Sequence, residues 1–224
     1  MLKAKIARLL SAAVLGIFTL MATQSQAHAA FFTNGSFETG PITPAGTFTA
    51  LSGGNSTSIT NWVVTGNSVD WINTYWMPSH GKLSLDLSGN RAGGIQQTFD
   101  TVAGTLYNVT FDLAGNPDGP PPPVKSVDVL ATGGVTSNYT FDTTLTTTAN
   151  MGWVTKSYSF TATGPSTTLS FTSLNNSPYG PALDNVTVSA ANAVPVPAGM
   201  LLALTGLPMV GVVGWFRRRV GISA

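Results

Sequence analysis

The chain has 224 residues, no cysteine, 10 Lys+Arg against 9 Asp+Glu, and 8% charged residues, well below the about 25% of an ordinary soluble domain. Between Ala30 and Val194 only Lys82, Arg91, Lys125 and Lys156 stand against all nine acids, a net charge of −5, which argues against nucleic acid as a partner, because that binding rests on Lys and Arg neutralising phosphates. Without cysteine there is no thiol catalysis, disulfide staple or thiolate metal site, so burial of an apolar core has to hold the fold.

Residues 1–29 read as a secretory signal peptide. Lys3, Lys5 and Arg8 form a basic start, Leu9 to Ala22 is apolar and uncharged, and Ala27-His28-Ala29 is an A-x-A site with cleavage expected after Ala29. Signal peptidase is therefore an expected processing partner. A retained membrane anchor is the alternative.

From Phe31 to Ala190 the hydrophobic period is two. Lys82-Leu83-Ser84-Leu85-Asp86-Leu87-Ser88 and Asn108-Val109-Thr110-Phe111-Asp112-Leu113 alternate, as do Val127/Val129, Tyr158/Phe160, Leu169/Phe171 and Val186/Val188. Such alternation marks strands with one buried face, and Gly, Asn, Asp and Pro separate them. No helical spacing interrupts the pattern. It predicts about ten strands among segments near 45–50, 58–65, 68–73, 82–87, 94–100, 105–113, 124–131, 137–142, 153–162, 167–173 and 182–189. The predicted fold is all-β, a two-sheet jelly-roll sandwich spanning residues 30–193. Gly119-Pro120-Pro121-Pro122-Pro123 reads as a stiff loop, because proline cannot join a ladder.

Asn34-Gly35-Ser36-Phe37-Glu38 opens the domain, and Ile59-Thr60-Asn61-Trp62 follows. Next come Ser68-Val69-Asp70-Trp71-Ile72, Gly81 to Leu87, Gly93-Gly94-Ile95-Gln96-Gln97-Thr98-Phe99 and Gly180-Pro181-Ala182-Leu183-Asp184-Asn185-Val186. This order resembles the choice-of-anchor C family of bacterial surface proteins and is similar to the plant cell-wall domain of unknown function 642. The resemblance implies a galactose-binding-like jelly roll, defined by architecture and anchoring rather than chemistry.

Catalytic parts are scarce: beyond the signal segment there is one histidine, His80, and one glutamate, Glu38. Asp86 and Asp112 alternate against apolar residues and are expected on solvated strand faces, so no catalytic residues are assigned and the protein reads as no enzyme. Asp184 shares parity with Val186 and Val188 and is expected to point into the core, where a carboxylate needs hydrogen bonds or a cation. With Glu38 and Asn34 it makes an oxygen donor set suited to one structural Ca²⁺. The alternative is an Asp184 satisfied by backbone N–H groups and Asn side chains.

Trp62 and Trp71 alternate with apolar neighbours and read as core. Tyr75 and Trp76 lie in the polar, proline-bearing loop Asn73-Thr74-Tyr75-Trp76-Met77-Pro78. Exposed loop aromatics need a reason, and stacking on a sugar ring is one. Tyr179 and Trp153 are expected to line the same end. The alternative is a set of lids folded back over the core. Two readings follow: a non-catalytic module binding extracellular polysaccharide, or a purely structural surface or matrix protein without a ligand site.

Residues 194–224 form a tripartite tail. Val194, Pro195, Val196, Pro197 and Ala198 lead into an apolar span from Met200 to Phe216, closed by Arg217, Arg218 and Arg219. The span is at the short end of what crosses a bilayer, and the arginines place the C-terminus on the cytoplasmic side. The tail resembles the PEP-CTERM sorting signal in its VPLPA-like variant, without the usual Glu. It implies an exosortase-like membrane protease as partner, at least transient anchoring in the inner membrane through one transmembrane helix, and delivery to the cell surface or extracellular matrix. A plain tail anchor is the alternative.

Overall fold

The computed structural model describes residues 32–191. The predicted signal helix, the transmembrane helix and the sorting residues Val194, Pro195, Val196, Pro197, Ala198, Arg217, Arg218 and Arg219 lie outside the described residues.

The strands are β1 (Phe48–Ser52), β2 (Val63–Gly66), β3 (Ser68–Ile72), β4 (Ser84–Asp86), β5 (Gly93–Asp100), β6 (Leu106–Gly115), β7 (Val124–Ala131), β8 (Ser137–Asp142), β9 (Val154–Thr161), β10 (Ser166–Ser173) and β11 (Pro181–Ala190). No helix occurs among the described residues. They form two sheets, one ordered β1-β3-β4-β11-β6-β9 and one ordered β2-β5-β10-β7-β8. Every described pairing is antiparallel. This is the two-sheet sandwich that period-two alternation predicts.

The core lies between the sheets. Val69, Trp71, Leu85, Val109, Phe111, Leu113 and Leu183 of the first sheet meet Ile95, Val127, Val129, Leu169 and Phe171 of the second, all fully buried. Trp62 and Trp71 are core residues, as their alternation indicates, and each finds an acceptor: Trp62 Nε1 donates to Asn34 O (2.9 Å) and Trp71 Nε1 to Phe37 O (3.1 Å). Burying an indole is favourable only with its N–H paired. These two bonds therefore tie the N-terminal segment to the sandwich.

The outer face of the first sheet is not solvated like that of a simple sandwich. β3 is buried at all five positions, because the connection between β3 and β4 folds back across its own sheet. In that connection Trp76 is 3% exposed and its Nε1 donates to Ser84 Oγ at 2.8 Å. The backbone N–H groups of Ser79 and His80 both donate to Asp184 Oδ2, each at 2.8 Å.

Two expectations about carboxylates are corrected by this cover. Asp86 and Asp112 are not solvated; they are 1% and 7% exposed. They do alternate against the core residues, but the face they point to is roofed. Asp184 is fully buried, yet not on the face of Val186 and Val188. β11 changes register between Asp184 and Thr187, with Asn185 in the left-handed region at φ 48°. A bulge of this kind inserts one residue and resets the alternation. Asp184 pairs directly with Asp112 and shares its outer face.

Candidate functional site

Register places a row of short side chains across the roofed face. Ala50 pairs with Asp70, Asp70 with Asp86, Asp86 with Ala182, and Ala182 with Ala114. Cross-strand partners share a face with Cβ atoms about 5 Å apart. Alanines flanking two aspartates leave a trench where larger residues would fill it. The trench opens as a cavity of about 290 Å³ lined by Phe48, Ala50, Asp70, Ile72, Tyr75, Asp86, Gly89, Asn90, Asn116, Pro178 and Tyr179.

The walls are aromatic. Tyr75, from the connection after β3, meets Phe48 of β1 edge-on, with ring centroids 5.7 Å apart, and Tyr179 enters from the segment before β11. Floor and wall are connected through one asparagine. Asn116 Nδ2 donates to Asp86 Oδ2 (2.9 Å), its Oδ1 accepts from Asp118 N (3.1 Å), and Tyr75 OH donates to Asp118 Oδ2 (2.6 Å). That last bond, with burial, pushes the Tyr75 phenol up to about 12, so it stays a neutral, oriented donor.

The two floor carboxylates differ. Asp86 accepts from Ser88 N (2.9 Å) and Gly180 N (3.1 Å) as well as from Asn116. Burial nevertheless pushes it up to about 7, aided by the neighbouring charge of Asp70. Asp70 is 9% exposed and is pushed up to about 6 by burial alone. On β7, Lys125 has the parity of Val127 and Val129 and points inward, 3% exposed. Burial pulls its ammonium below the usual lysine range, against the attraction of Asp86.

Of the residues expected to bind ligand, Tyr75 and Tyr179 meet in this cavity. Trp76 does not serve as a platform: it borders a shallower groove of about 380 Å³ with Asn73, Thr74, Met77 and Pro78, but at 3% exposure it has no ring face to offer. Trp153 is half-buried with Nε1 donating to Met77 O at 3.0 Å, and it lines neither depression. Asp70, Asp86, Asn116 and Phe48 were not legible as site residues. Asp70 and Asp86 alternate within strands like any solvated acid, and only their cross-strand register and the roof above them make a floor.

Each of the expected calcium donors is engaged by protein hydrogen bonds. Asn34 Oδ1 accepts from Thr39 N, and its Nδ2 donates to Thr39 O and Thr60 O, all at 2.9 Å. Glu38 Oε1 accepts from Lys82 N and Leu83 N, both at 2.7 Å. Asp184 takes Ser79 N and His80 N on Oδ2, and Asn185 N on Oδ1 at 2.6 Å. Backbone donors, not one another, face these oxygens, so the set does not fit a cation. Among the described residues no three His, Cys, Asp or Glu side chains gather into a metal-holding group.

Similarity to known proteins is concentrated in this domain. Halomucin of Haloquadratum walsbyi is 32% identical over 139 residues, 60% of this chain; the chain spans only 1% of that relative's length. Among solved structures, TmCBM61 in complex with β-1,4-galactotriose is similar at TM-score 0.46 and 16% identity, covering 72% of this chain and 98% of that one. A family 35 carbohydrate-binding module from Paenibacillus barcinonensis is similar at TM-score 0.42 and 20% identity, covering 64% and 99%. The family model described as protein of unknown function DUF642 matches residues 30–189, and the chain belongs to that family.

Proposed function

We propose that this protein binds saccharide, as a non-catalytic module, in the cavity between Tyr75, Tyr179 and the Asp70–Asp86 floor. One observation carries the reading: an aromatic-walled cavity whose polar groups converge from rigid strands. Ligand sites have this composition, mostly apolar walls with a few fixed polar groups, and a sugar ring has the matching chemistry of an apolar face rimmed by hydroxyls. At about 290 Å³ the cavity is at the small end of such sites, at about 300 Å³, and suits a single ring of a longer chain.

Binding without hydrolysis follows from where the carboxylates sit. Glycoside hydrolysis needs an acid and a second carboxylate flanking the scissile bond. Asp70 and Asp86 lie side by side on adjacent strands, both beneath the ligand, and Asp86 is occupied by three donors. Export accompanies this reading. The basic start, apolar run and Ala27-His28-Ala29 support secretion, and the tail from Val194 to Arg219 supports processing by an exosortase-like protease and delivery to the cell surface or matrix.

Titration of the full chain with a panel of oligosaccharides tests the binding. A saturable heat that falls at least about tenfold in Tyr179→Ala, an aromatic anchor being worth upwards of about 1 kcal/mol, is the expected result. No saturable binding to any glycan overturns it. Mass spectrometry of the protein from its native cells tests the processing, with ends after Ala29 and near Ala198 expected.

A further inference from the structure

Among the described residues Asp70 is the one floor carboxylate with no hydrogen-bonding partner. It lies in the middle of β3, is 9% exposed and lines the cavity. Burial is the sole influence on its carboxylate; no protein donor reaches it, whereas its neighbour Asp86 has three. Among the described residues no fully buried side-chain oxygen lacks a partner, so the Asp70 oxygens open on the cavity, and the donors a carboxylate needs come from what occupies it. The structure even keeps space beside it. A Cβ on Gly89 would sit 3.0 Å from Asp70 Oδ1 and 2.8 Å from Ser68 Oγ, so any larger residue there crowds the oxygen that faces the cavity.

Among the described residues no cation lines the cavity either. Lys125 feels Asp86, but its stem is buried on the inward face of β7 and its ammonium lies behind the Tyr179 wall, where a Cβ on Gly119 would sit 3.1 Å from Nζ and 2.6 Å from Tyr179 Cβ. The ligand therefore meets the unpaired Asp70 carboxylate, with Asp86 beside it already accepting three bonds, and three rings, Phe48, Tyr75 and Tyr179. An ammonium group is the complement of that surface. It carries three donors and no acceptor, makes charge-assisted bonds to carboxylates, and is attracted to aromatic faces. A hydroxyl also donates to Asp70 but leaves the floor charge uncompensated. A carboxylate-bearing sugar brings a third negative charge to it.

Resting on the saccharide reading above, we propose that the cavity selects amino sugars: glycans with free 2-amino-2-deoxyhexose units whose ammonium donates to Asp70 beside the rings of Tyr75 and Tyr179. The titratable groups facing this position are Asp70, Asp86, Tyr75, Tyr179 and, at the rim, Asp118, with Lys125 behind the Tyr179 wall. Burial holds Asp70 and Asp86 up to about 6 and about 7, so the preference for the amine weakens as pH falls from 7 to 5.

The test is calorimetric titration of the full chain at pH 7 with four probes: a glucosamine tetramer, the same tetramer N-acetylated, a β-1,4-galactose tetramer and a galacturonate tetramer. Expected is at least tenfold tighter binding of the free amine than of the acetylated or neutral probe, and weakest binding of the uronate. Asp70→Asn removes the preference for the amine, and Tyr179→Ala weakens the amine and neutral probes alike. Both variants are first checked for wild-type melting cooperativity, and competition between free and acetylated tetramers on the wild type needs no variant. Neutral or acetylated probes binding as tightly as the amine, or Asp70→Asn keeping the preference, overturn the amino-sugar inference and leave the saccharide cavity standing. Silence from all four probes overturns both.

Discussion

Glu38 and Asp184 hold the two ends of the same turn. Glu38 Oε1 takes the N–H groups of Lys82 and Leu83, while Asp184 Oδ2 takes those of Ser79 and His80. Between them Gly81 turns at φ +69°, a conformation L side chains rarely adopt, and any Cβ there would collide with the Glu38 carboxyl. Ser79 Oγ adds a bond to Asp112, so carboxylates from three separate parts of the chain fasten the roof to its sheet. The clamp does structurally what a cation had been expected to do.

Its two carboxylates are unequal because their burial is unequal. Asp184 is fully buried whereas Glu38 is exposed. Asp184→Ala removes the shared acceptor of three part-buried N–H groups and should cost about 2–4 kcal/mol. Glu38→Ala leaves its two donors to solvent and should cost about 1 kcal/mol. Urea unfolding of the two variants checks the order; equal costs would show that the roof is held elsewhere.

Trp76 and Tyr75 are sequence neighbours with opposite duties. Their rings meet at 5.5 Å, but Trp76 is in the core cluster and Tyr75 only packs against it. Trp76→Ala should open a cavity costing about 3–5 kcal/mol. Tyr75→Ala should cost about 1 kcal/mol while removing most saccharide affinity. Thermal melts beside binding isotherms separate the two, and a stable Trp76→Ala with impaired binding would reverse the assignment.

Asp70 and Asp86 predict opposite responses to the same isosteric change. For Asp70 the folded value of about 6 exceeds the ordinary 3.8, so between those pH values the folded state holds more proton than the unfolded one. Stability then falls as pH rises through this window. Asp70→Asn removes the charge without breaking a bond, and should stabilise the domain above about pH 6 while leaving it unchanged near pH 4. The gain is on the order of 1–2 kcal/mol, below the full value of the shift because the carboxylate opens on a wet cavity. Asp86→Asn instead turns an amide N–H₂ toward a protein donor, and should lose about 1–2 kcal/mol near pH 4, a loss that relief of the buried charge offsets as pH rises toward 7. Melting curves at pH 4, 6 and 8 decide; a destabilised Asp70→Asn would mean that this carboxylate has a partner.

The sandwich was readable because it depends on local alternation. Val109/Phe111/Leu113 and Leu169/Phe171 point inward wherever their strands are placed. The site was not readable because it depends on three non-local facts. Asp70 lies beside Asp86 only through β3–β4 register, Asp86 lies beside Ala182 only through the long return of β11, and both are enclosed only because Tyr75, Gly89, Asn116 and Gly180 arrive from four separate connections. Tyr75 and Tyr179 were found as aromatics in polar loops, which is a local signal. The same signal misassigned Trp76, since a loop that covers a sheet puts some of its aromatics underneath. Asp184 was correctly judged buried for an incorrect reason: parity carries through a strand only until a bulge, and Asn185 supplies one.

Asn116 couples the floor of the cavity to its wall. It is 4% exposed and spans Asp86 on one side and Asp118 on the other, with Tyr75 held by Asp118. Asn116→Ala leaves Asp86 Oδ2 buried without its donor and should cost about 1–3 kcal/mol. It also frees Asp118, so the Tyr75 ring loses its fixed orientation. Tyr75→Phe removes the other end of the chain and, at a half-exposed hydroxyl, should cost about 1 kcal/mol. Because both act through Asp118, the double variant should fall short of the sum by at least about 0.5 kcal/mol, and the two losses of saccharide affinity should overlap likewise. A double-mutant cycle measured by both unfolding and titration checks this. Strict additivity in both would mean that Tyr75 is oriented by its packing on Phe48 alone, and that the Asp86–Asn116–Asp118 chain carries nothing to the wall.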